Sequence, residues 1–260
     1  MLAHLKELYR FRDLLWSLAV RDIKVRYRQT ILGVAWAVLQ PLAFMLTFTV
    51  VFAKFGKVSA EGAPYPLFSY TALVAWTFFA TGLTLSVNSI ASNIKLVQKV
   101  YFPREVLPVG VIIGCLVDFL IAGLLLVGLM VRYGVPASAH LLWLPWLIAL
   151  ELALLISISL VTSALNVFFR DIKYIVPLVV QLWMFATPVI YPSSMIPERW
   201  RVWYMLNPMA VIIENLRRVV VYRQPPELAG LAWMTAGVAG LSLLAYVFFK
   251  RVEPKFADLI

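Results

Sequence analysis

The sequence predicts an all-α membrane protein with six transmembrane helices, an N-terminal amphipathic interface helix and short re-entrant helices before the last span. Composition is the first observation behind this. The chain of 260 residues is 62% hydrophobic and 14% charged, far from the roughly 25% charged residues of a soluble globular domain. The second is run length. Charge-free stretches cover 29–53, 62–94, 174–197 and 228–249, each longer than the ~20 residues needed to cross the hydrocarbon core. Two more, 106–131 and 133–169, are each interrupted by one carboxylate, Asp118 and Glu151.

Residues 1–30 form the first unit. At 100° per residue Leu5, Leu8, Leu15, Trp16 and Ala19 share one arc, while Lys6, Glu7, Arg10, Asp13 and Lys24 gather opposite. A basic helix of this kind suits the headgroup plane, where its cations meet anionic lipid. A solvated helical lead-in would show the same pattern.

The second unit, 31–260, carries spans near 31–52, 65–90, 106–131, 141–169, 172–191 and 228–249. Scoring the connecting segments for Lys and Arg places both termini inside. The inner segments then hold seven cations before the first span, Lys95, Lys99 and Arg104, Arg170 and Lys173, and Lys250, Arg251 and Lys255. The outer segments hold Lys54, Lys57, Arg132, Arg199, Arg201, Arg217, Arg218 and Arg223. Five of those eight fall in 192–227, where an apolar stretch too short to span is broken by Glu214, Arg217 and Arg218. Pro188, Pro192, Pro197 and Pro208 punctuate the approach, so the chain is expected to dip back as short re-entrant helices before crossing again.

Several chemistries are excluded. No G-x-x-x-x-G-K-[ST] string occurs, so no phosphate cradle of that type exists on this chain. His4 and His140 lack zinc spacing, and Cys115 is the single cysteine. The net charge of +10 comes from short clusters between apolar runs, which fits membrane topology and not nucleic-acid binding. Asp118 and Glu151 are intramembrane carboxylates, readable either as a proton relay or as partners of neighbouring helices. Thr81, Thr84, Ser86, Asn88 and Ser89 read as interhelical glue. Trp36, Phe44, Trp76, Phe79, Trp183 and Phe185 lie deep in spans, where packing accounts for any single ring; as a set they could line a path for sugars, whose flat faces pack on aromatic rings.

Three strings are more specific. They are Asn-Ile-Lys-Leu-Val-Gln-Lys-Val-Tyr-Phe-Pro-Arg-Glu-Val-Leu-Pro at 93–108, Asn-Val-Phe-Phe-Arg-Asp-Ile at 166–172, and Tyr-Pro-Ser-Ser-Met-Ile-Pro at 191–197 with Leu-Asn-Pro-Met at 206–209 and Glu-Asn-Leu-Arg at 214–217. In this order, after a basic amphipathic start, they resemble the membrane subunit of ABC-2 type polysaccharide exporters, the group moving O antigen, capsule and teichoic acid, with the O-antigen permeases most similar. The resemblance implies a bacterial inner-membrane permease, not itself an enzyme, that pairs with a second copy and with two ATP-binding cassette subunits. ATP and Mg would sit on those partners, with no cofactor here, and the cargo would be a lipid-linked polysaccharide. It further implies an ATPase-coupling set of Lys95, Lys99, Tyr101, Phe102, Pro103 and Arg104 with Arg170 and Asp171, and a periplasmic gate containing Tyr191, Pro197, Asn207, Pro208, Glu214 and Arg217. In a helix Val97, Val100 and Tyr101 would share one face of the coupling string.

Two rival readings use other residues. An ion-coupled secondary transporter would work through Asp118 and Glu151 and would show inverted repeats, which the sequence lacks. A membrane-embedded transferase acting on lipid-linked sugars would draw on the outer arginines.

Overall fold

The computed structural model describes residues 11–256. Leu5, Lys6, Glu7, Leu8, Arg10 and His4 lie outside them. The described residues contain helices and no strand. Five helical stretches are long and apolar enough to cross a membrane: Gly33–Phe55, Tyr65–Val87, Val106–Arg132, Ala139–Phe168 and Leu228–Lys255.

α1 (Arg12–Tyr27) packs along α5 (Val106–Arg132), where two glycines one turn apart remove the side chains that would hold the helices off. A Cβ on Gly110 would stand 3.5 Å from Leu18, and one on Gly114 would stand 3.4 Å from Ile23. Small residues at this spacing let helix backbones approach closely in lipid. The docking is fixed at its far end: Arg26 pairs with Asp118, whose other oxygen accepts from the Tyr27 hydroxyl at 2.6 Å. Burial and Asp118 push the Tyr27 phenol up to about 12, so it stays a donor. Asp118 thus meets partners on a neighbouring helix, the contact that one of its two sequence readings calls for.

α2 (Trp36–Phe48) continues as a π-helical stretch, Thr49–Phe55. α3 (Tyr65–Val87) is the hub, buried over most of its surface and in contact with α2, α5 and α6 (Leu144–Phe168). A helix that is apolar all round belongs inside a bundle. Hydroxyls stitch it to its neighbours: Ser86 Oγ donates to Ser159 Oγ at 2.7 Å, and Tyr70 donates to the Ala122 carbonyl at 3.1 Å. Of the five polar residues expected as interhelical glue, Ser86 and Asn88 bond across helices, whereas Thr81 and Thr84 line cavities. α6 pairs with α10 (Leu228–Val252), joined by Ser157 and Ser242 at 2.8 Å. Glu151 of α6 is fully buried, and neither of its carboxyl oxygens meets a hydrogen-bond partner.

The expected span at 172–191 needs correction. Its helix, α7 (Ile172–Phe185), has 14 residues, about 21 Å at the α-helical rise and short of the ~30 Å hydrocarbon core. Pro188 explains the stop, because the residue before a proline is driven out of the helical region. The chain then turns inward, burying Val189 and Ile190.

Candidate functional site

The two ends of the bundle carry the residues singled out in the sequence. At one end α4 (Ile94–Lys99) connects α3 to α5. Its last residue is followed by an extended residue, Val100, with φ −128° and ψ 133°. Beyond the helix the neighbours Tyr101 and Phe102 take opposite sides of the chain, as successive residues can once the helical period ends. Tyr101 points outward with 88% of its surface exposed, beside exposed Lys95, Lys99 and Val100. Phe102 turns inward and is 4% exposed, in a cluster with Val97, Leu160, Phe249 and Phe256. Val97, Val100 and Tyr101 therefore do not share a face. Pro103 is buried and Arg104 half-buried. Arg170 and Asp171 are exposed and follow Phe168, whose ring meets Phe256 at 6.0 Å, so they occupy the same end.

At the other end, α8 (Glu198–Met205) starts after Pro197, and α9 (Pro208–Val220) starts from Asn207. Asn207 Oδ1 accepts from the Met209 backbone N–H at 3.1 Å, the usual work of a helix N-cap. It also accepts from Trp183 Nε1 at 3.0 Å, while its amide nitrogen donates to Thr187 Oγ1 and the Ala186 carbonyl. One side chain thus ties the end of α7 to the start of α9. Tyr191 donates to the Phe185 carbonyl at 2.9 Å and accepts from Tyr204 at 3.4 Å. α9 is buried along most of its length against α3 and α6.

Arg217 lies at the centre of this end with none of its surface exposed. Nε donates to the Phe68 carbonyl at 3.3 Å and Nη2 to the Val189 carbonyl at 2.8 Å, and the guanidinium stands 3.5 Å over the Phe68 ring. Nη1 and the Oε2 atom of Glu214 are buried without hydrogen-bond partners. The other arginines of this segment go elsewhere: Arg218 donates to the Pro225 carbonyl, and Arg199 stacks by Trp200. Among the described residues no group of three or more His, Cys, Asp or Glu side chains is placed to hold a metal ion.

Comparison with known proteins supplies the family. A family model described as ABC-2 type transporter matches residues 13–221. The chain belongs to that family. It is 31% identical over 263 aligned residues, 100% of both chains, to a protein of Myxococcus xanthus named O-antigen export system permease protein RfbA. A protein of the same name from Klebsiella pneumoniae is 29% identical over 95% of each chain. The polysialic acid transport protein KpsM of Escherichia coli is 24% identical over 79% of this chain and 80% of its own.

In this ABC-2 type transporter the six deep aromatics fall into two groups. Trp76 and Phe79 are buried, and both meet the Trp183 ring edge-on, at 6.3 and 5.2 Å. Trp36, Phe44 and Phe185 are exposed on α2 and α7. Trp36 also lines a cavity of about 220 Å³ with Gln40, Thr77, Thr81 and Asp118. Trp76→Ala is expected to cost about 3–5 kcal/mol of stability through the cavity it leaves, read as a lower unfolding temperature in detergent. Trp36→Ala should leave folding intact and lower export by about fivefold, the ~1 kcal/mol worth of one aromatic contact. Sequence reasoning missed Arg26, Glu105, Lys250, Glu253 and Phe256, whose partners lie far away along the chain. Their only signal was a charge or ring at a span end.

Proposed function

We propose that this chain is the permease subunit of an ATP-driven exporter that moves lipid-linked polysaccharide, with O antigen as cargo, across the bacterial inner membrane. Two copies pair, and two ATP-binding cassette subunits dock on the end that carries α4; ATP and Mg are held there. Tyr101 is the observation that carries the reading. A large ring almost wholly exposed, flanked by Lys95 and Lys99 and seated on a rigid buried base, is what a docking knob requires. Arg170 and Asp171 add to the same surface. The exposed apolar faces of α2 and α7, including Phe44, Leu178, Leu182 and Phe185, serve the second copy and the sugar path between the copies. Tyr191, Pro197, Asn207, Pro208, Glu214 and Arg217 form the periplasmic gate. Full-length similarity to proteins named O-antigen export permeases supports the cargo.

Expression beside neighbouring reading frames tests the whole. The chain should bring down a subunit with an intact P-loop, and reconstituted vesicles should move a diphosphate-linked glycan only with ATP. Transport driven by an ion gradient without that subunit would favour the secondary-transporter reading instead.

Both termini are cytoplasmic in this arrangement, with α7 and the turn after it completing the sixth crossing, and α1 lies along the inner headgroups. In a Cys115→Ser background, Ser59→Cys should react with an impermeant thiol reagent in right-side-out vesicles, and Lys255→Cys should stay protected. The reverse pattern would invert the orientation.

A further inference from the structure

The docking segment is bolted to the last membrane helix by a compact set of charges. Lys250 Nζ sits 2.8 Å from Glu105 Oε1 and 2.9 Å from its Oε2, and also 2.9 Å from Glu253 Oε2. The other oxygen of Glu253 accepts from the Arg104 backbone N–H at 3.0 Å, and the Arg104 guanidinium donates to the Glu253 carbonyl. The same guanidinium lies over the Phe256 ring, 5.7 Å from its centroid. Phe256 is fully buried and packs edge-on against Phe249 at 5.7 Å, in the cluster that also holds Phe102 and Val97. A groove of about 650 Å³ runs between the two segments, with Lys99, Tyr101 and Arg104 on one side and Lys250, Glu253 and Pro254 on the other.

The side chain of Glu105 is 3% exposed and that of Lys250 22%. Withdrawing such a pair from water costs about as much as its attraction returns, so an apolar replacement of both partners is often neutral in stability. Stability is then a poor account of the arrangement. What a fully bonded charge cluster supplies is a fixed register between two elements, and rigid packed contacts pass a displacement on as discrete steps where a slack loop would absorb it. The elements joined here are the two sides of one groove, separated by about 145 residues of sequence.

We infer that Lys250, Glu253 and Phe256 at the end of α10, closing on Arg104 and Glu105, form a clamp that transmits movement of the docking segment to the last membrane helix. These are positioning residues, and the inference rests on the docking role of Tyr101 proposed above.

The test uses the complete chain assembled with its ATPase and reconstituted into vesicles. Glu105→Gln with Lys250→Met removes that pair together, and Glu253, which loses Lys250 from Oε2, keeps the Arg104 backbone N–H on Oε1. The variant should insert, keep ATPase association within about twofold and keep hydrolysing ATP, while export falls about tenfold, within the range that coupling residues away from a ligand site can reach. Lys250→Arg, which retains the contacts to both carboxylates, should keep export near the parent level. Unchanged export by the double variant overturns the inference. Equal loss of association and export overturns it too, because the charges would then merely build the docking surface. If the double variant does not accumulate, Glu253→Gln leaves the Lys250–Glu105 pair in place and is scored in the same way: hydrolysis without export supports the clamp, and normal export removes it. Failure of the docking role is seen separately, as normal association and export in Tyr101→Ala.

Discussion

Tyr101→Ala is expected to leave the permease inserted and folded while detaching its ATPase and abolishing export. The ring makes almost no contact within the chain, being 88% exposed, so its removal costs the fold next to nothing. At the centre of an interface the same ring would be buried, and truncating such an aromatic anchor commonly costs ~2 kcal/mol or more, about 30-fold in affinity. Phe102→Ala must be kept apart from this test. Phe102 is buried among Phe249, Phe256 and Val97, and its loss is expected to destabilise the bundle by about 3–5 kcal/mol. A combined Tyr101 and Phe102 variant would therefore confuse unfolding with undocking. Lys95→Gln with Lys99→Gln should weaken association only a fewfold and more at low salt, since exposed charges at a rim are screened. Co-purification of the ATPase, the unfolding temperature in detergent and export together separate these cases. Parent-level association by Tyr101→Ala at physiological salt would remove α4 as the docking element and turn attention to Arg170 and Asp171.

The difference between Tyr101 and Phe102 also marks how far the sequence could be read. Helical spacing put Val97, Val100 and Tyr101 on one face, and that holds only while the helix lasts. α4 ends at Lys99 and Val100 is extended, so the 3.6-residue period gives way to alternation two residues before the anchoring pair. The long spans were legible because apolar length alone decides them: 106–131 became Val106–Arg132 and 228–249 became Leu228–Val252. The span at 172–191 was not, because an apolar run records hydrophobicity and Pro188 decides where the helix stops. The short helices before the last span were legible from short apolar length broken by charge and proline. What Asn207 does there was not, since its bonds to Trp183 and Thr187 depend on the return of the chain. Asp118 stood between two readings in sequence because its partner Arg26 lies 92 residues away.

Arg217 was read in the sequence as an outer cation and as a member of the gate that the resemblance implies, and its buried setting gives the second large effect. Arg217→Ala is expected to lower stability by about 3–5 kcal/mol, because each carbonyl left without its charged donor costs roughly 1.5–3 kcal/mol and the vacated volume adds to it. The two acceptors belong to different elements. Phe68 sits in the first turn of α3 and Val189 in the turn after α7, so one guanidinium holds the re-entrant helix, the hub helix and the short span together. Arg217→Lys is a sharper probe. An ammonium is a point donor without the planar fork, so it cannot serve both carbonyls and lie flat over the Phe68 ring as the guanidinium does. Retained charge with lost geometry should cost about 1–2 kcal/mol. Burial pulls the Arg217 guanidinium down to about 10. The unfolded chain therefore binds more protons than the folded one only above that pH, stability from this group rises with pH only there, and the effect of either substitution should be flat across neutral pH. Thermal unfolding in lipid nanodiscs, with reactivity of a cysteine placed at Ser194 to report loosening of the end that carries α9, measures both substitutions. Parent stability together with unchanged Ser194→Cys reactivity in Arg217→Lys would show that charge alone holds α9, and the paired bonds to Phe68 and Val189 would lose their place as the latch.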